Sequence, residues 1–239
     1  MRFTLHFPLC FLVASVAVAQ ESSPKNGFAD RVESAIVSQT NDFRKKNELA
    51  SVSGDEELTS AAKKFAQYMA DTGDYGHRAD GQTPAQRAKA AGYEYCVVRE
   101  NIAYRTNTGD ITAESLVEVF VQGWIDSPSH RENMLADYVT QTGVGVASSD
   151  GVTYYAVQLF GRPKSAAFVV EVANRSDQPQ TIIVEANGSQ DEFELPPRGI
   201  VRMKRCFPTT IATDSGQQTV SLQKATSLVI DAEGLKTTP

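Results

Sequence analysis

The chain has 239 residues, a formal charge of −6 and a pI near 5.2, so it carries no basic footprint for nucleic acid. That length fits one large or two modest domains. Past residue 19 no run is long or apolar enough to cross a bilayer, which takes ~20 residues.

Phe7 to Ala19 is almost wholly apolar, follows Arg2, and ends in Ala17-Val18-Ala19, the small-x-small pattern that signal peptidase cleaves. Residues 1–19 therefore read as a signal peptide. The expected product is secreted, extracellular or periplasmic, with no transmembrane segment after cleavage. Cys10 leaves with that leader, so Cys96 and Cys206 remain in a compartment that permits a disulfide. They either pair, closing a loop of over a hundred residues worth at most ~4–5 kcal/mol in the chain-entropy model, or stay as two separate buried thiols.

Val32, Ala35, Ile36, Gln39 and Phe43 fall on helical spacing and predict an amphipathic helix from Asp30 to about Lys46. Ser53 followed by Glu56 suggests a capping box for a second helix, with the stripe Leu58, Ala61, Ala62, Phe65 and Met69 ending at Gly73. Thr83-Pro84 opens a short third helix that Gly92 closes. A fourth runs from about Thr112 to Asp126 with Leu116, Val119, Phe120 and Trp124 inward, and Ser127-Pro128 breaks it. Trp124 is read as a core anchor.

Then the period changes. Thr142 to Ala147 and Val152 to Phe160 flank Ser149-Asp150-Gly151, a hairpin signal, and Val97 to Tyr104 is a candidate third strand. Helices followed by an antiparallel sheet argue an α+β fold or a layered sandwich. Gly161 to Lys164 looks like a boundary. Beyond it, short strands near 167–172, 180–186, 192–195, 200–205, 219–222 and 228–230 are separated by Asn, Gly and Pro turns. Residues 165–235 thus read as a small antiparallel β-sandwich, with Lys236 to Pro239 frayed.

Of three histidines, His6 lies in the leader, leaving His77 and His130. His77 sits in the turn-rich Gly76-His77-Arg78-Ala79-Asp80-Gly81, and His130 in Ser127-Pro128-Ser129-His130-Arg131, just past a helix end. Both read as loop-borne imidazoles on a packed scaffold, well placed for binding or catalysis. No Gly-x-Ser-x-Gly and no His-Glu-x-x-His occurs, so no ready-made nucleophile or zinc-protease helix is present.

The motifs run in a telling order. Thr40-Asn41-Asp42-Phe43-Arg44 is followed by the Ala61-Ala62 helix, then His77, Asp80-Gly81, Thr83-Pro84, Arg87 and Gly92. Next come Arg99-Glu100-Asn101-Ile102-Ala103, Trp124, Ser127 to Leu135, Gly143-Val144-Gly145 and Gln158-Leu159-Phe160-Gly161. Over residues 28–162 this resembles the bacterial branch of the CAP superfamily, the SCP-like kin of cysteine-rich secretory proteins, antigen 5 and pathogenesis-related proteins. The resemblance implies an α-β-α sandwich with a cleft holding two histidines and two acids. His77 matches the first histidine, Glu100 the first acid and His130 the second histidine. The second acid is the departure: Ser127 stands where it is expected, with Asp126 beside it and Glu118 a poorer substitute.

Two neutral imidazoles suit Zn²⁺, but a tight zinc site normally has at least three protein ligands, so His77 and His130 alone imply weak, exchangeable binding. Glu100 could orient a ligating imidazole, or act as base on metal-bound water in a hydrolase. The leading expectation is a non-enzymatic binding module for a divalent metal and a small hydrophobic ligand or peptide; the resemblance allows sterol or fatty-acid ligands. The alternatives are a metal-assisted hydrolase of peptides or cell-envelope material, and an envelope adhesin acting through the β-sandwich.

Overall fold

The computed structural model describes residues 27–214 and 218–238; the expected signal peptide lies outside the described residues. Helix α1 spans Phe28–Lys46. Its buried face is Val32, Glu33, Ile36, Thr40 and Arg44, whereas Gln39 of the anticipated stripe is exposed. The hydrophobic period locates the helix but misses a face built partly of polar side chains with partners across the core. Thr40 Oγ1, for example, meets the buried Gln158 amide.

The two-residue strand β1 (Ser53–Gly54) precedes α2 (Glu56–Thr72). The cap of α2 is Asp55, which accepts from the Leu58 N–H at 2.9 Å, so the expected cap Ser53 belongs instead to β1. All five residues of the predicted α2 stripe are buried, and Gly73 closes the helix in a left-handed conformation at φ 76°. In α3 (Pro84–Ala90) Thr83 and Gln86 form a reciprocal capping box. In α4 (Ala113–Asp126) Val117 and Val121 are buried, while Val119, expected inside, is exposed. The break at Ser127 is real but brief. Pro128 starts a further helix, α5 (Pro128–Leu135), because proline's fixed φ suits a first helical position.

Strands β2 (Tyr95–Thr106), β3 (Gln141–Ala147) and β4 (Thr153–Pro163) join β1 in a sheet of order β1-β3-β4-β2. Alternation along β4 divides the core. Ala156 and Phe160 pack with α1, α4 and α5, whereas Tyr155, Val157 and Leu159 pack with α2 and α3. The result is an α-β-α sandwich. Gly143 and Gly145 let α2 lie directly on β3, since a Cβ at either would collide with the α2 backbone.

The C-terminal part holds β5 (Phe168–Asn174), β6 (Gln180–Ala186), β7 (Ser189–Leu195), β8 (Ile200–Arg205), β9 (Thr209–Thr213), β10 (Thr219–Leu222), β11 (Thr226–Asp231) and β12 (Gly234–Thr237). They form two four-stranded sheets, β10-β9-β6-β7 and β12-β11-β5-β8, around an apolar core that includes Val170, Val172, Ile182, Val184 and Ile211. The pairing is antiparallel except between β5 and β11. Lys236, expected to fray, pairs with Val229 inside β12. Cys96 on β2 is bonded to Cys206 just after β8, with Cα atoms 5.4 Å apart, and Tyr138 meets Phe207 edge-on beside the bridge. Among the described residues no helix is long and apolar enough to cross a membrane.

Candidate functional site

β2 is an edge strand, so one side of its backbone has no neighbouring strand. Side chains satisfy its carbonyls instead: Asn133 donates to Glu100 O, and both Trp124 Nε1 and the Tyr75 hydroxyl donate to Ile102 O. These bonds tie the α2–α3 loop, α4 and α5 to one strand edge, where the histidine-bearing segments converge.

His77 lies in the turn between α2 and α3, with its side chain about half exposed. Its Nδ1 lies 2.8 Å from Glu100 Oε1. The Glu100 side chain is almost wholly buried, and its second oxygen accepts from Arg87 Nη2 at 2.6 Å. A carboxylate only accepts, so Nδ1 is the donor, and in the neutral form of the ring Nε2 carries the lone pair. Arg87 comes from α3 and is stacked on Phe65, with the guanidinium carbon 3.5 Å from the ring centroid. It donates further to Asp80 Oδ1, Gln82 O and the carbonyl of His77 itself.

His130 is not loop-borne, as its position after Ser127-Pro128 suggested; it lies in the first turn of α5. Two carbonyls at the far end of that helix, Met134 O and Ala136 O, accept from the buried Arg44 of α1, at 2.7 and 2.9 Å. At its near end Asn101 Nδ2 donates to His130 O at 3.1 Å. Burial first, and then the charge of His77, push the His130 imidazole below its usual range. The neutral form of the His130 imidazole is therefore favoured.

The acids divide differently. Glu100 is engaged at both oxygens within the site, whereas Asp126 is exposed at the end of α4 and accepts from Gln122 at 2.8 Å. Ser127 links α4 to α5 and Glu118 is exposed. Among the described residues no group of three or more His, Cys, Asp or Glu stands ready for a metal ion. Of the donors described above, the two imidazoles are the ones that could hold a borderline divalent ion. Sequence reasoning passed over Arg87, Asp80, Asn101 and Asn133 as site residues. Asp80 and Asn133 lie close in sequence to His77 and His130, whereas Arg87 and Asn101 carried no such local signal.

A profile of the cysteine-rich secretory protein family, CAP, matches residues 37–160. The Bacillus subtilis protein YkwD is 31% identical over 121 residues, which is 50% of this chain but 44% of YkwD, so the chain spans less than half of that relative. An outer surface protein of Borrelia burgdorferi aligns at 24% identity and TM-score 0.49, over 55% of this chain and 92% of that one. An extracellular SCP-domain protein of Bacillus anthracis aligns at 24% identity and TM-score 0.46, over 56% and 41%. With the family profile spanning just over half of its length, the chain belongs to the cysteine-rich secretory protein (CAP) family.

Proposed function

We propose that this is a secreted binding protein whose CAP cleft takes an exchangeable divalent ion, and with it a small hydrophobic or peptide ligand, without turning that ligand over. The observation that carries the reading is the state of Glu100. Its side chain is almost wholly buried and each oxygen already accepts a hydrogen bond, one from His77 and one from Arg87, an arrangement that suits orienting an imidazole better than taking a proton from water. His77 Nε2 and the neutral His130 would hold the ion, and zinc would supply an electrophilic centre for an anionic or carbonyl group of the ligand. Secretion accords with the leader-like residues 1–19 and with the extracellular SCP-domain relative.

Zinc titration of the purified protein, followed by calorimetry, tests this. Binding should weaken in both His77→Ala and His130→Ala. If neither substitution changes zinc affinity, the shared site is wrong. Turnover of a peptide or envelope substrate that vanishes in Glu100→Gln, with the fold intact, would establish the hydrolase instead.

A further inference from the structure

One guanidinium grips His77 at two places. Arg87 Nη2 donates to the His77 backbone carbonyl at 3.1 Å and to Glu100 Oε2 at 2.6 Å, and the other oxygen of Glu100 bonds the His77 ring. Arg87 Nη1 in turn is anchored on Asp80 at 2.8 Å and on Gln82 O at 2.9 Å, at the far end of the loop that carries His77. All four terminal N–H donors are thus committed, and the side chain is 5% exposed. A lysine in its place would keep the charge, but a single ammonium lacks the planar fork that reaches carboxylate and carbonyl together.

We propose that Arg87 is a positioning residue of the cleft: through Glu100 and the His77 carbonyl it fixes His77 in the Nδ1–H tautomer and aims Nε2 at the bound ion or ligand. The role rests on the binding function argued above, but its first consequence is independent of any ligand. In the free protein the His77 ring exists as one tautomer because a fixed acceptor faces Nδ1. Without Arg87, Glu100 loses its second partner and the loop loses its tie. The carboxylate is then free to turn away, and the imidazole becomes a mixture of tautomers and orientations.

The test uses ¹⁵N-labelled full-length protein, at a pH where the imidazole is neutral and without metal. The ring-nitrogen shifts of His77 are expected to show protonated Nδ1 and unprotonated Nε2. In Arg87→Lys the two shifts should move towards the averaged values of a tautomer mixture, and zinc affinity should fall about tenfold or more, as for lost outer partners of a ligating histidine. A merely structural arginine would lower stability but leave the ring shifts of the folded protein unchanged. If Arg87→Lys does not fold, Asp80→Ala, which removes one anchor and keeps the arginine, should produce the same shift movement to a smaller degree. A parent protein with protonated Nε2, or a folded Arg87→Lys with unchanged shifts, overturns the proposal. The expected shifts with no zinc bound by the parent would instead overturn the metal-binding reading and leave this one standing.

Discussion

The two halves of the molecule treat polar groups in opposite ways. The buried polar residues of the CAP part include the charged Glu33, Arg44, Arg87, Glu100 and Arg162, whereas those of the sandwich are Asn174, Thr209 and Thr213, with no charge among the described residues. Burying an ion costs several kcal/mol unless it is paired and hydrogen-bonded. The sandwich avoids that cost with an aliphatic core. The CAP part accepts it, and Arg44, Arg87 and Glu100 hold the segments that carry the two imidazoles. Buried charge here marks where geometry has to be fixed, and its absence marks where a shape alone suffices.

The sharpest way to separate the halves is to cut the bridge between them. Cys96 and Cys206 are 110 residues apart, so replacing both by serine should cost about 4–5 kcal/mol in the chain-entropy view. Urea unfolding of that variant should resolve two transitions, the sandwich separating from the CAP part. A single transition with an unchanged midpoint would mean that packing near Tyr138 and Phe207, and not the bond, unites them. The next largest effect lies at the buried Arg87–Glu100 pair. Arg87→Met strands the Glu100 charge and should cost about 3–5 kcal/mol, while the double change with Glu100→Leu should cost less than that single one. If the two losses simply add, the buried pair is not the coupled unit drawn above.

In the sandwich the corresponding test involves no charge. Asn174 Nδ2 serves the carbonyls of Gln178, Leu195 and Pro196, so Asn174→Ala should cost about 1–3 kcal/mol. Hydrogen exchange should localise the loosening to residues after 167 and leave zinc affinity untouched. A loss of zinc affinity would show that the halves communicate, contrary to the contrast between them.

How much of this was legible depended on whether burial meant apolar. Every residue named in the α2 stripe is buried, with Ala66 and Ala70 beside them, since each inward position is a hydrophobe. The inward face of α1 was not, because Thr40 and Arg44 are buried for the bonds they make with Gln158, Met134 and Ala136, and no local period announces partners so far along the chain. Helix α5 was hidden by Ser127-Pro128, a pair that stops one helix and starts the next. Strands β9 and β12 escaped as well. β12 has four residues, starts at Gly234 with a positive φ, and takes its register only from pairing with β11. His77, Glu100 and His130 could be named as candidates from motif order. The placement of Arg87 behind Glu100 needed the third dimension, as did the engagement of both Glu100 oxygens.

The smallest expected effect tests the cost of fixing an imidazole. Burial lowers the affinity of His130 for a proton in the folded state, while the unfolded chain keeps the ordinary value of 6.5. As pH falls through 6.5, the unfolded state takes up its proton first, so this residue makes stability decline with falling pH until the folded imidazole titrates too. Above 6.5 both states are neutral there and the contribution vanishes. Thermal melts at a series of pH values should therefore show a steeper acid-side decline in the parent than in His130→Gln, with parallel curves above neutrality. Parallel curves on the acid side as well would mean that the ring is not desolvated on α5, and the proposed site would lose its one neutral imidazole argued from burial.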